Sequence, residues 1–300
     1  MNFSLLDKIE TVHDGILATI LHTEGHTYKK SGAHALFAAG TPAPVWGNLG
    51  SACVDQELVR QGGEALAAGV PRIVRIDTSE SEDADFGYGT YCGGVIEILV
   101  EPLFDRHKAV YRDVRGRLAS RAPVWLTHDL ATGELNIHAG EPAPSEGLHV
   151  EEVPPLRPVF IFGATPLAKC LLRTFKDMEF DLHVIDWRSD YLDGFADIDG
   201  VTTHPGEAPL ADDAFVLIVS HHYHRDRAML ARALSKNCAF VGMLSSRVRR
   251  DRMFEELRKE GVAEDDLSRV VSPIGIDIGA KSDAEIAIAV AAQLVGKGRR

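Results

Sequence analysis

The sequence predicts an α/β protein in two parts: an irregular α+β first half, then a second half built on a parallel sheet covered by helices. Three observations carry that expectation. From residue 159 onward, short continuous apolar runs alternate with helical segments, the pattern of parallel strands buried on both faces. Between Gly140 and Pro158, five of the 14 prolines crowd together with Glu141, Glu146, Glu151 and Glu152, which reads as an extended linker. The 300 residues also exceed the ~250 at which a single core usually stops growing. The expected division is residues 1–140, a Pro-rich linker over 141–157, and residues 158–300.

In the first half, residues 16–21 read as a strand. Residues 34–39 and 45–49 flank Gly40-Thr-Pro-Ala-Pro44 and suggest a hairpin. A helix is expected over 54–68, strands over 72–76 and 95–100, and a second hairpin around Gly133 from 124–128 and 134–138. In the second half, strands are expected at 159–162, 181–186, 214–219 and 239–243, bounded by turn residues. Helices follow at 166–178, where Pro166 is tolerated as a first helical residue, at 225–235 and at 246–260. Ser282 and Glu285 form a capping box that opens the last helix.

Composition narrows the function. A hydrophobic fraction of 45% supports folded cores, and a net charge of −12 argues against nucleic acid as the main partner. The longest apolar run, 286–292, is far short of the roughly 20 residues a membrane span needs. The start of the chain lacks a basic, then apolar, leader, so a cytoplasmic location is expected. Cys53, Cys92, Cys170 and Cys238 are too few for a disulfide scaffold, and no C-x-x-C pair exists to build a zinc ribbon. Cys170 and Cys238 lie in helical and apolar surroundings that suit small buried hydrophobes.

Cys53 and Cys92 are set differently. Gly47-Asn-Leu-Gly-Ser-Ala-Cys53-Val-Asp55 precedes a helix, whose N-terminus binds anions and lowers a thiol pKa. The same residues also suit a tight turn with a packed thiol. Cys92-Gly93-Gly94 precedes a strand and leaves its thiol little cover, or marks a pliant strand entrance. A pair of exposed soft ligands suits a transition metal or sulfur chemistry. In Gly25-His-Thr-Tyr-Lys-Lys-Ser-Gly-Ala33, Lys29 and Lys30 beside Gly32 could hold a phosphate or form a solvated loop.

In the second half, Gly163-Ala-Thr-Pro166 occupies the place of a dinucleotide loop. Asp186 ends the next strand, where a ribose-binding acid belongs. Thr165 stands where a second glycine would admit the pyrophosphate, and Pro166 has no N–H to give. An NAD-dependent oxidoreductase is therefore the alternative function, with the incomplete loop against it. Three further features fall after strand ends: His221 in Ser220-His-His-Tyr-His224, Arg247 at a helix start, and Asp277 in Pro273-Ile-Gly-Ile-Asp-Ile-Gly279. Ligands of parallel sheets gather there.

Taken in order, these motifs resemble the XdhC/CoxI family of accessory proteins, over nearly the whole chain. Gly25 to Ala33 is similar to the family's Gly-Ser-x-x-Arg-x-x-Gly-Ala stretch, and Gly47 to Asp55 to its Ser-Gly-Gly-Cys-x-Glu motif. Cys92-Gly93-Gly94 with the following strand to Glu101-Pro102 resembles its Cys-Gly-Gly…Glu-Pro. The 241–247 and 273–287 stretches are close to its closing motifs. The departures are Gly50-Ser51-Ala52, Asp55 for Glu, lysine for arginine near 29 and 30, and Gly163-Ala-Thr-Pro166 for Gly-Ala-Gly-His.

The resemblance implies an XdhC/CoxI domain followed by a Rossmann-like domain. It implies a factor that binds molybdenum cofactor (a molybdopterin), assists its sulfuration, and delivers it to an apo molybdenum hydroxylase of the xanthine dehydrogenase type. Such a protein is more a chaperone than a turnover enzyme. Cys53 and Cys92 would serve catalysis or touch the metal. Lys29, Lys30, Gly32, Gly47, Asp55, Gly93, Gly94, Gly163, Asp186, His221, Arg247 and Asp277 would serve cofactor binding, with a nucleotide or NAD as an additional ligand of the Rossmann-like domain. A cysteine desulfurase is the implied second partner, and a homodimer is left open.

Overall fold

In the computed structural model, residues 1–77, 94–176, 178–196, 198 and 200–298 are described. They fall into two units, Met1–Pro155 and Leu156–Arg300.

The first unit is organised by β1 (Gly15–Gly25), whose residues 15–20 are buried without interruption because both faces of its sheet are covered. β2 (His34–Ala38) and β3 (Trp46–Gly47) add to one side of it. β5 (Gly94–Leu103) and β4 (Arg72–Asp77) add to the other, giving the antiparallel order β3-β2-β1-β5-β4. Side chains alternate across this sheet. One face packs Ile16, Ala18, Ile20, Ala35 and Phe37 against Val54 and Leu58 of α2 (Ala52–Ala68). Gly62 of α2 sits directly on Ile16, where a Cβ would come within 2.1 Å of the Ile16 Cδ1.

The opposite face carries Leu17, Leu36 and Leu103. It is covered by α1 (Phe3–Thr11), α3 (Asp105–Ala119) and a second antiparallel sheet. That sheet has the order β7-β6-β8, from β6 (Val124–Asp129), β7 (Leu135–His138) and β8 (Leu148–Val153). Both expected hairpins are present, as β2–β3 and β6–β7. The expected linker over 141–157 is corrected in part: six of its residues form β8, paired with β6. The prolines bracket that strand at 142, 144, 154 and 155, where a missing N–H removes no ladder bond.

The second unit is a six-stranded, wholly parallel sheet of order β11-β10-β9-β12-β13-β14. Its strands are β9 (Arg157–Phe162), β10 (Phe180–Asp186), β11 (Val201–Pro205), β12 (Phe215–Ile218), β13 (Phe240–Met243) and β14 (Val270–Val271). Counted from β9 this is the doubly wound order 3-2-1-4-5-6, with its topological switch between β9 and β12. α4 (Pro166–Phe175), α5 (Ser189–Ala196) and α9 (Asp283–Gly298) belong to one face; α6 (Tyr223–Leu234), α7 (Arg247–Lys259) and α8 (Glu264–Ser268) belong to the other. Phe175, Phe195 and Phe215 are fully buried, each contributing about 1.5–3 kcal/mol of apolar burial. The capping box forms as expected: Glu285 N–H donates to Ser282 Oγ at 3.3 Å, and Ser282 N–H to Glu285 Oε2 at 2.9 Å.

Candidate functional site

Three of the sequence motifs converge at one end of the first unit's larger sheet. Gly25, the last residue of β1, pairs with Gly94, the first of β5. A Cβ on Gly94 would lie 2.6 Å from the carbonyl oxygens of both Glu24 and His26, so only glycine lets the 26–33 loop pass. That loop is shaped by its own side chains. The Thr27 hydroxyl donates to Lys29 O at 2.7 Å, Lys30 Nζ donates to Thr27 Oγ1 at 3.4 Å, and Ser31 Oγ donates to Leu21 O at 2.6 Å. Gly32 takes φ +83°, and its N–H donates to Ile20 O. Lys29 lies 5.3 Å from the Tyr28 ring centre, while Lys30 is exposed. Gly47, at φ +72°, crosses the start of β2, where a Cβ would come within 2.4 Å of His34 O.

From there the chain enters α2. Leu49 and Val54 are buried beside Ile20 and Ala35, which anchors the helix start against this end of the sheet. Cys53 is the second helical residue and is exposed. Asp55, two residues on, is buried, and its Oδ1 has no hydrogen-bond partner among the described residues. Burial pushes its carboxyl up toward the protonated form. Cys92 and Gly93 lie outside the described residues. Among the described residues, no group of three or more His, Cys, Asp or Glu side chains could hold a metal ion.

Between the two sheets of the same unit runs a chain of buried charges that sequence reasoning did not single out. Glu101 of β5 meets His128 of β6, whose Nδ1 is 2.9 Å from both carboxylate oxygens. His128 Nε2 lies 3.5 Å from Glu151 Oε2 of β8, and Glu151 Oε1 lies 2.9 Å from His34 Nε2 of β2. His34 Nδ1 ends the chain at Thr19 Oγ1 of β1, 3.0 Å away. Burial alone would depress the His128 imidazolium, but Glu101 and Glu151 push it up to about 10. Burial would raise Glu151, but the His34 and His128 rings hold its carboxyl well below the usual carboxylate range. The neighbouring His149 is lowered by burial and by the His128 charge. Glu101 was visible in the Glu-Pro motif; the histidines gave no local signal.

In the second unit, each sequence-selected residue lies at or beyond the carboxyl end of a strand. Gly163 leaves β9 at φ +111°, and a Cβ there would lie 2.4 Å from Ser220 Cα at the end of β12. Four N–H groups of the loop and helix start are already used. Gly163 N–H donates to Ile185 O, Ala164 N–H to Asp186 Oδ2, Thr165 N–H to Gly163 O and Ala168 N–H to Thr165 Oγ1, and Pro166 has none. Asp186 is fully buried and does not present a carboxylate to a ribose. Its Oδ1 accepts from Arg188 N and Nε, both at 2.9 Å, and its Oδ2 accepts from Arg188 Nη2 and Ala164 N, both at 2.8 Å. Burial would raise this carboxyl, but the Arg188 hydrogen bonds lower it overall. The geometry therefore does not favour a dinucleotide in this loop.

His221 is exposed in the left-handed region, at φ +62°. Its carbonyl accepts from Arg249 Nη1 at 3.0 Å, and Arg249 Nη2 reaches Asp226 Oδ2 at 2.6 Å. Asp226 is buried, also accepts from the Ser220 hydroxyl, and its carboxyl is pushed up by burial. Arg247, the first residue of α7, is exposed, as is Asp277, whose Oδ1 accepts from Gly279 N–H at 3.3 Å. Of the remaining thiols, Cys238 is buried and Cys170 half-buried against the core, as expected.

Fold and site together define a two-unit α/β protein: a Rossmann unit with a closed phosphate loop, and an antiparallel unit presenting a thiol and small-residue bends at one sheet end. Residues 159–294 match the model of the XdhC Rossmann domain, and residues 9–77 that of the XdhC and CoxI family. The chain belongs to the XdhC/CoxI family. It is 24% identical to a probable xanthine dehydrogenase subunit of Bacillus subtilis (strain 168), over 99% of this chain and 97% of that protein. It is also 24% identical to the Escherichia coli (strain K12) protein YqeB, over 93% of this chain and 42% of that one. A crystal structure of a xanthine dehydrogenase from Bacillus halodurans is similar, with TM-score 0.84 and 27% identity, covering 100% of this chain and 96% of that one.

Proposed function

We propose that the protein is an accessory factor of a molybdenum hydroxylase of the xanthine dehydrogenase type. It holds molybdenum cofactor as cargo while the metal centre receives its sulfido ligand, then passes it to the apo-enzyme. The observation that carries this reading is the setting of Cys53. An exposed thiol occupies the first turn of α2, two residues from a buried carboxyl with an oxygen unpaired among the described residues. It belongs to the sheet end where Gly47 and Gly94 let the 26–33 and 47–51 segments pack closely against the strands.

The donor set fits the cargo. Lys29 and Lys30 supply cations for a pterin phosphate. The free N–H groups of the α2 start favour an anion. Cys53 offers a soft sulfur to the metal side, two residues from the buried Asp55 carboxyl, which burial pushes up. Bound cofactor supplies the oxo-to-sulfido chemistry. The chain's own residues bind, orient and shield it, and the sulfur comes from a separate cysteine desulfurase. No described helix is long and apolar enough to cross a membrane, and a cytoplasmic site of action suits this role.

The test is cofactor uptake by the purified full-length chain. Near-stoichiometric retention of molybdenum cofactor after gel filtration, reduced at least about tenfold in affinity by Cys53→Ala, is expected for loss of one direct contact. Retention unchanged in Cys53→Ala removes the assigned thiol role.

A further inference from the structure

The first unit's larger sheet has a second end, where Gly15 of β1 pairs with Leu103 of β5, opposite the Gly25–Gly94 pairing. A polar cavity of about 500 Å³ opens there. His13 and Asp14 line it from the entry to β1, and Asp105, Arg106 and Lys108 line it from the first turn of α3. The cofactor-handling reading uses none of these residues.

Lys108 sets the chemistry. It is only 8% exposed, its Nζ donates to Val12 O at 2.5 Å, and no carboxylate among the described residues pairs with it. A buried ammonium loses hydration and is ordinarily matched by an opposite charge. The acids of α1 are committed elsewhere. Glu10, lowered by the Arg112 hydrogen bond and more weakly by the Lys108 charge, is taken by Arg112 at 2.8 Å, and Asp7 is taken by Arg115 at 2.6 Å. Thus α3 pairs its later arginines and leaves its first-turn cations unmatched. Arg106 lies 4.7 Å from the Phe104 ring centre and has no acid partner among the described residues. The helix start is open as well. Phe104, its N-cap, carries no side-chain acceptor for the N–H groups of Asp105 and Arg106. The nearby His107 is occupied: its Nδ1 accepts from Phe104 N–H at 3.1 Å, and its Nε2 donates to Gly133 O at 2.9 Å.

Asp14 and Asp105 are exposed on the same cavity and enter no ion pair among the described residues. Unmatched charges of both signs therefore surround one polar space. A simple anion there meets the two carboxylates, and a simple cation meets the ammonium and the guanidinium. A ligand that carries both charges is matched at both ends.

We propose that this cavity binds a free α-amino acid. Its carboxylate sits on Lys108 Nζ at the open start of α3, with Arg106 beside it, and its ammonium faces Asp14. The volume is that of a small-molecule pocket and leaves room for a side chain. The site and the Cys53 end share no residue, so either reading can fail while the other stands.

Calorimetric titration of the full-length chain tests it, with L-alanine, L-glutamate and L-lysine as neutral, acidic and basic probes. Propionate and ethylamine, which each keep one charged end of alanine, are the controls. Saturable binding of at least one amino acid, one per chain, is expected, with both controls at least about tenfold weaker. Asp14→Asn keeps a residue type that tolerates the left-handed φ of +46°. It should weaken the amino acid about tenfold and leave propionate unchanged. Lys108→Met should weaken both, and Arg106→Gln, an exposed substitution that leaves the Val12 contact intact, should shift both in the same direction. Failure of all three amino acids to saturate at millimolar concentration overturns the proposal. So does a control that binds as tightly as the amino acid, which marks a simple ion site, or an Asp14→Asn protein of unchanged affinity.

Discussion

His128 Nδ1 sits 2.9 Å from both carboxylate oxygens of Glu101, in the interior between the two sheets of the first unit. The contact joins β6 to β5, and Glu151 carries the same chain of charges to β2. Its pH dependence follows from direction. His128 is raised from 6.5 to about 10 in the fold, so its contribution is complete below pH 6.5 and is lost as pH climbs through 10. Glu151 is lowered from 4.5, so its contribution is complete above that pH and is lost on acidification. His34, His149, Glu101 and the buried Tyr111 are the other titratable groups around them. Thermal unfolding across pH should therefore show greatest stability of the first unit between about 4.5 and 6.5 and a decline toward pH 10. A His128→Gln protein should lose the alkaline slope; an unchanged slope would mean that His128 is neutral in the fold.

The same pair makes a quantitative case for charge balance. Removing one partner of a buried ion pair strands the other, at a cost of about 3–5 kcal/mol. Glu101→Leu or His128→Leu alone should destabilise the first unit by that order in urea unfolding. The double substitution leaves the His34–Glu151 pair intact, 2.9 Å apart, and should recover a large part of the loss. Simple additivity of the two single substitutions would show that the contact contributes nothing by itself.

These charges also show where the sequence becomes illegible. The core strands β9, β12 and β13 could be read directly, because burial on both faces demands unbroken apolar runs. β8, with its sequence Leu-His-Val-Glu-Glu-Val, could not be read, since its polarity is satisfied by His34 and His128, far away in the chain. Glu151 among prolines therefore looks like linker until the fold supplies its partners. The Gly25–Ala33, Gly47–Asp55 and Cys-Gly-Gly motifs were legible as separate bends. That Gly94 seats the first of them is a property of strand pairing alone. Asp186 was correctly placed at a strand end, but Arg188, two residues on, occupies its carboxylate.

That occupation, with the tight contact behind it, predicts how the second unit responds to change. At Gly163 any side chain meets both a left-handed φ of +111° and the Ser220 backbone at 2.4 Å. Gly163→Ala should destabilise the second unit by about 2–5 kcal/mol, combining backbone strain with overpacking. Hydrogen exchange at β9 and β12 reports this unit separately. With four of its donors engaged and Asp186 held by Arg188, the loop should give no saturable NADH fluorescence change in the micromolar range. A micromolar dissociation constant would restore the oxidoreductase reading.

Thiol chemistry can be separated residue by residue. Cys53 is exposed, whereas Cys238 is buried and its thiol is pushed up by desolvation, which reduces the reactive thiolate. In a Cys92→Ser background, Ellman's reagent should therefore label one site rapidly, at least about tenfold faster than Cys170 or Cys238. Adding Cys53→Ala should abolish that fast phase. Because Cys53 projects from the first turn of α2 and the anchoring there is by Val54, alkylating it should leave the melting temperature nearly unchanged while blocking cofactor uptake. A fast phase that survives Cys53→Ala would place the reactive sulfur elsewhere. Uptake that survives alkylation would leave the thiol without a part in holding the cargo, and the binding would then have to rest on Lys29, Lys30 and the helix start.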